Sequence, residues 1–168
     1  MYLTIMNNNK NTSNVRVYLR QPTEKERKIH GKERGLDIQK EIILDYLEKK
    51  LGYKIGKDNK GRFGVIQPEG IKLTWYTDRG YGSDRYLENR EKGGGRLLKH
   101  LETGDWIITS HFDRMFGNTP VYSWDFIFEK VKKNYKGKLI ICDMGGDVTG
   151  EDERSQIFYN ILTTFKDV

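Results

Sequence analysis

Four short runs rich in β-branched and aromatic residues set the limits on what this chain can fold into. They are Val15-Arg16-Val17-Tyr18-Leu19-Arg20, Ile71-Lys72-Leu73-Thr74-Trp75-Tyr76, Trp106-Ile107-Ile108-Thr109-Ser110 and Lys138-Leu139-Ile140-Ile141-Cys142-Asp143. Each is too short for a helix and has the composition of a strand. The segments between them carry helical spacing instead. From Leu36, the residues Ile38, Ile42, Ile43, Tyr46 and Leu47 recur at i, i+4, i+5, with Asp37 as a cap and Gly52 as a stop. Arg96 to Leu101 completes a second helix behind the glycines at 93 to 95. Pro120 to Tyr135 reads as a third, with Val121, Trp124, Phe128 and Val131 facing inward. Glu151 to Phe165 is a last helix through Ile157, Phe158, Ile161, Leu162 and Phe165. Strands that alternate with helices imply an α/β domain, a mostly parallel central sheet with helices on both faces.

The remaining stretches punctuate that pattern. Met1–Met6 could add an edge strand, and Asn7 to Asn14 is a polar tract without means of burying surface, so residues 1–14 read as a flexible N-terminal segment. Thr23 to Arg34 is crowded with charge and lacks an apolar period, which reads as a mobile loop. Tyr53 to Gly70, with Asp58-Asn59-Lys60-Gly61 at its middle and Pro68-Glu69-Gly70 at its end, has the signature of an inserted β-hairpin. No repeat or second boundary divides residues 15–168, so one domain is expected.

A composition 36% hydrophobic and 32% charged implies a real core under a heavily solvated surface. The net charge of +6 favours a polyanionic partner such as nucleic acid. Cys142 is the one cysteine, so an intrachain disulfide is excluded, and its apolar neighbours imply a buried thiol rather than a nucleophile. No apolar run approaches a membrane span and no signal-peptide pattern opens the chain; a cytoplasmic location without membrane contact is expected.

In an open α/β sheet, ligand-binding groups gather beyond the carboxyl ends of the strands. That rule brings Arg20, Asp78, Asp113 with Arg114, and Asp143 to one rim. Two arginines there point to phosphate, whose oxygens a guanidinium holds in a bidentate fork. The plainer alternative pairs each arginine with one aspartate. Another alternative uses Asp78, Asp113 and Asp143, with Asp147, as hard oxygen ligands for a divalent metal and His111 as a base, which would make the rim a phosphoryl-transfer site. A third is a protein-interaction surface built on Tyr81, Tyr86 and the hairpin.

The order Tyr18-x-Arg20, Leu36-Asp37-Ile38-Gln39, Tyr76-Thr77-Asp78, Leu97-Leu98, Gly104-Asp105, Phe112-Asp113-Arg114 and Gly146-Asp147-Val148-Thr149-Gly150, with Phe158 and Leu162, resembles the catalytic domain of serine recombinases, the resolvase and invertase family. The likeness runs from Val15 onward. It implies a resolvase-like three-layer fold, with the hairpin an insertion, and a domain that cuts DNA through a serine joined to phosphate and works as an oligomer. Arg20 and Arg114 then fall on arginines that contact the scissile phosphate, Asp113 on the acid that orients them, and Gln39 on a position supporting the active-site loop. Asp78 falls on an adjacent acid and Arg90 on a further basic position. No cofactor is implied.

The departures from the family pattern are chemical. Pro22 stands where the family has its serine, and a pyrrolidine ring cannot attack phosphorus. Thr23 is the nearest hydroxyl, one residue out of place. Gly117 replaces the second arginine of the Asp-Arg-x-x-Arg motif. The expectation is therefore a recombinase-like domain of the kind carried by phages and mobile elements. It would lack strand cleavage and act as a DNA-backbone-binding or regulatory module, with DNA, a protein or a second copy of itself as partner.

Overall fold

The structure is a computed structural model, and it describes residues 14–30, 35–82, 85–117 and 119–167. The expected strand at Met1–Met6 and the polar tract up to residue 13 lie outside them; Asn14 opens the first strand. The strands are β1 (Asn14–Arg20), β2 (Lys54–Lys57), β3 (Phe63–Gln67), β4 (Lys72–Asp78), β5 (Trp106–Thr109), β6 (Lys138–Ile141) and β7 (Gly146–Asp147). The α-helices are α1 (Glu24–His30), α2 (Leu36–Lys49), α3 (Gly94–His100), α4 (Phe112–Met115), α5 (Pro120–Trp124) and α6 (Glu153–Lys166). A π-helix over Asp125–Asn134 continues α5.

The main sheet has the order β4-β1-β5-β6-β7. β1 lies parallel to both β4 and β5, β6 is parallel to β5, and β7 returns antiparallel along the outer edge. Strand alternation sorts β1 cleanly. Val15, Val17 and Leu19 pack with Ile43 and Leu47 of α2 on one face. Arg16, Tyr18 and Arg20 share the other parity, and Tyr18 joins a larger core of Leu97, Ile107, Phe126, Ile127, Leu139 and Leu162. Helices thus cover both faces of a mostly parallel sheet. The stretch from Tyr53 to Gly70 forms the antiparallel pair β2–β3, a separate two-stranded sheet.

Several expectations need correction. Thr23 to Arg34 is not a loop throughout: Glu24–His30 is helical, and residues 31–34 lie outside the described set. An apolar period is absent because none of the described side chains of α1, residues 24–29, is buried against the core; caps and ion pairs hold it instead. Val121 does not face inward but is 52% exposed, and the buried set is Ser123, Phe126, Ile127, Phe128 and Val131. The cause is the π-helix, in which Tyr135 N–H donates to Lys130 O five residues back, so the inward face drifts from an α-helical period. The last helix points Ile157, Ile161 and Phe165 to solvent, at 52, 50 and 60% exposure, and buries Leu162. The fourth core strand ends at Ile141, two residues early, because Cys142–Met144 turns as a 3-10 helix into β7, a strand too short to leave a pattern.

Candidate functional site

Arg20 is the last residue of β1, and Arg114 sits in α4, one turn beyond the end of β5. Parallel pairing of β1 with β5 carries them to the same rim, and both are 0% exposed. Burying a guanidinium demands partners for its donors, and Arg20 has them all. Its Nε donates to Arg114 O (3.1 Å), Nη1 to Tyr81 O (2.8 Å) and Nη2 to Asp113 O (2.8 Å). What remains is a fork, Nη1 to Glu26 Oε1 (2.7 Å) and Nη2 to Glu26 Oε2 (2.8 Å). Arg114 meets the same carboxylate, its Nη2 donating to Glu26 Oε2 at 2.9 Å, while its Nε donates to Asp113 Oδ1 at 3.1 Å. Two buried cations therefore share one carboxylate. The plain pairing of each arginine with an aspartate holds only for Arg114 and Asp113, whereas Arg20 takes Asp113 by its backbone oxygen.

Glu26 was not among the residues expected at the rim, yet a local signal for it exists. Thr23-Glu24-Lys25-Glu26 has the spacing of a capping box, a helix start that needs no apolar period. The structure has it: Glu26 N–H donates to Thr23 Oγ1 (3.2 Å), and the Thr23 hydroxyl donates to Glu26 Oε1 (3.1 Å). Partial burial opposes the charged form of Glu26. Hydrogen bonds from Arg20 and the charges of Arg20 and Arg114 outweigh it and hold the carboxyl down to about 2.

Behind the arginines lies a second layer. Gln39 of α2 grips the backbone of Arg20 from both sides, accepting from its N–H (3.1 Å) and donating Nε2 to its carbonyl (2.7 Å). The end of β1 is thereby fixed by the Gln39 side chain. Asp78 is fully buried and spent internally. It accepts from Tyr18 Oη (2.8 Å) and from the Gly93 and Gly94 amides (2.7 Å each), capping α3 from a neighbouring strand. Glycine is required at 93, where a Cβ would lie 2.7 Å from the Asp78 carboxyl. Arg90, ahead of α3, completes the cluster. Its Nη1 donates to Tyr18 Oη (3.0 Å) and to Arg114 O (2.8 Å), Nε donates to Arg85 O, and Nη2 is buried with no partner among the described residues. Burial, ahead of the opposed influences of Arg90 and Asp78, pushes the Tyr18 phenol up.

The aspartates of the metal alternative carry hydrogen bonds of their own. Asp78 is occupied as above, Asp143 accepts from the Phe112 amide at the start of α4, and Asp147 accepts from Thr149 in its own turn. His111 Nδ1 lies 2.8 Å from Ser110 Oγ. Among the described residues, no group of three or more His, Cys, Asp or Glu is placed to hold a metal ion. The tyrosine surface is partly spent too: Tyr86 stacks on Tyr122 with centroids 4.3 Å apart, and Arg85 lies over Tyr81. Cys142 is half-buried rather than buried, and that partial burial still pushes its thiol up to about 12.

A cavity of about 500 Å³ opens beside Pro22, lined by Gln21, Arg27, Leu36, Asp37, Ile38 and Arg79. Arg27 and Arg79 are exposed, Arg79 Nη1 donating to Gln21 Oε1 at 3.1 Å, so this side of Pro22 carries two arginines and one carboxylate, Asp37. Among the described residues, no helix is long and apolar enough to cross a membrane. No protein-family model matches the chain, and neither does any curated protein.

Proposed function

We propose that this chain is a serine-recombinase-like domain that grips one phosphate of the DNA backbone and leaves it uncut, acting as a binding or regulatory module. One observation supports this above the others: two fully buried guanidiniums converge on a single anion at the carboxyl edge of a parallel sheet, beside Pro22. Guanidinium forks suit phosphate oxygens as well as carboxylate. Pro22 offers no nucleophile, and the Thr23 hydroxyl is engaged with Glu26. Arg27 and Arg79, on the adjoining cavity, would extend the contact along the backbone, and the net charge of +6 has the sign such a partner needs.

Binding of this kind is independent of sequence and falls steeply with salt, because each neutralised phosphate releases condensed counterions. At physiological salt the dissociation constant should lie at about 10⁻⁴ to 10⁻⁶ M. Fluorescence anisotropy with a labelled duplex at several salt concentrations tests it. Arg114→Ala should weaken binding about equally on all sequences and lower the salt slope by roughly one, and Arg114→Lys should restore part of the loss. Unchanged binding in both variants would remove the rim from any role in DNA contact. A covalent protein–DNA adduct on supercoiled plasmid would overturn the loss of cleavage.

A further inference from the structure

We propose that Glu26 is a resident substitute for phosphate, and that α1 is a strap which must lift before the arginine seat accepts a phosphate group from outside. This rests on the reading of the rim as a phosphate seat. The seat is built without Glu26. Main-chain carbonyls of Tyr81, Asp113 and Arg114 fix Arg20, and the Asp113 carboxylate with Arg20 O fixes Arg114. Taking Glu26 away leaves Arg20 Nη1 and Nη2, Arg114 Nη2 and the Thr23 hydroxyl aimed at one place, four donors that now sit 2.7, 2.8, 2.9 and 3.1 Å from the carboxylate oxygens. A carboxylate and the two non-bridging oxygens of a phosphodiester present the same fork to a guanidinium. A phosphate adds further oxygens for Arg114 and Thr23.

Among the described residues, the strap has few other anchors. Glu24, Lys25, Arg27 and Lys28 of α1 are exposed, and Ile29, its one aliphatic side chain, is 68% exposed. None of the described α1 side chains, residues 24–29, is buried, so lifting that stretch forfeits little apolar contact. The carboxylate that fills the seat is thus also the main tether of the helix. An incoming phosphate competes with one ion cluster and not with a packed core.

The test compares the natural protein with Glu26→Gln, Glu24→Ala, Arg114→Ala and the double variant Glu26→Gln/Arg114→Ala, by duplex anisotropy. Glu26→Gln keeps a hydrogen-bonding cap but removes the competing charge. It should tighten binding on the order of tenfold, since apparent affinity rises as the open fraction rises. Glu24→Ala removes the same charge from the same helix and should gain no more than about twofold from the changed field. The gain should vanish in the double variant. A gain no larger than that of Glu24→Ala, or one that survives Arg114→Ala, overturns the strap. If Arg114→Ala alone weakens binding while Glu26→Gln changes nothing, the DNA seat stands and the strap falls; if neither variant changes binding, both fall.

Thermal denaturation in inorganic phosphate against chloride at equal ionic strength separates the sources of the anion. Phosphate should raise the Tm of Glu26→Gln and leave the natural protein unmoved. A phosphate effect without a duplex effect assigns the seat to free phosphate, and the strap over a DNA-binding seat falls with the duplex result. Hydrogen exchange on the natural protein needs no variant to fold: saturating duplex should accelerate exchange across 24–30 while β1 stays protected. Unchanged or slower exchange there overturns the strap.

Discussion

The two ends of β1 present the same face of the sheet and the same residue type, four positions apart, and they treat a buried arginine in opposite ways. At the amino end Arg16 Nε donates to Asp105 Oδ2 at 2.6 Å, one cation to one anion, with side chains 8 and 3% exposed. The leftover groups are met by firmly placed partners. Arg16 Nη1 donates to Tyr76 Oη (2.7 Å), and Asp105 accepts from Asn14 Nδ2 (3.1 Å) and the Glu102 amide (2.8 Å). At the carboxyl end Arg20 and Arg114 share Glu26, which is 18% exposed and rides on a helix none of whose described side chains is buried. A closed, matched pair is a fastening. Two fixed cations around one loosely carried anion form a seat with an occupant.

The largest effect that could break this contrast is at the fastening. Asp105→Ala leaves Arg16 buried and unpaired and should cost about 3–5 kcal/mol in urea unfolding, with no recovery in phosphate buffer. Recovery would mean that the amino end also takes an anion. Next is Asp78→Ala, which strands Tyr18 Oη and the Gly93 and Gly94 amides; a loss of about 2–3 kcal/mol is expected from buried donors left unmet. Glu26→Gln should cost less, about 1–2 kcal/mol at low salt, because the bonds to Glu26 are charge-assisted but part-exposed.

Acid titration sharpens the same point. Glu26 is held down to about 2 in the folded state, below its ordinary value of 4.5. Its contribution to stability is therefore fully present above about pH 4.5 and is lost as pH falls toward 2. Over that window the natural protein should lose stability more steeply than Glu26→Gln, measured by urea midpoints at each pH. Equal slopes would place the acid sensitivity elsewhere. The smallest effect is that of Glu24→Ala, expected within about 0.5 kcal/mol of the parent as for a surface change.

The core strands could be read from the sequence because a parallel sheet buried on both faces demands short β-branched runs, and Val15–Leu19, Trp106–Thr109 and Lys138–Ile141 supply them. Arg20 and Arg114 were foreseeable as rim neighbours for the same topological reason. Glu26 is hidden because hydrophobic periodicity detects only helices that pack, and α1 is held by Thr23, by Arg20 at the end of β1 and by Arg114 of α4, 88 residues further on. The faces of α5 and α6 were misjudged for different causes. A π-helical run shifted the first off its period, whereas the second has a regular stripe at Ile157, Ile161 and Phe165 that periodicity can find without saying whether the protein's own core lies against it. The bonds of Asp78 to the Gly93 and Gly94 amides leave no trace in the sequence. A strand-end acid looks the same in sequence whether it meets a ligand or the amides of the next helix.

The separations along the chain around the seat also bear on the order in which it assembles. Glu26 lies six residues from Arg20, whereas the contact from Arg20 to Tyr81 spans 61 and that to Arg114 spans 94. Each doubling of a closing loop adds about 0.6 kcal/mol of entropic cost, so contacts of short span are met early and those of long span late. Arg20 has its carboxylate at hand while the chain is still open, and Arg114 is delivered only when β5 joins β1. The two guanidiniums thus approach each other with a negative charge already between them, and the growing fold is spared a bare meeting of like charges at its centre.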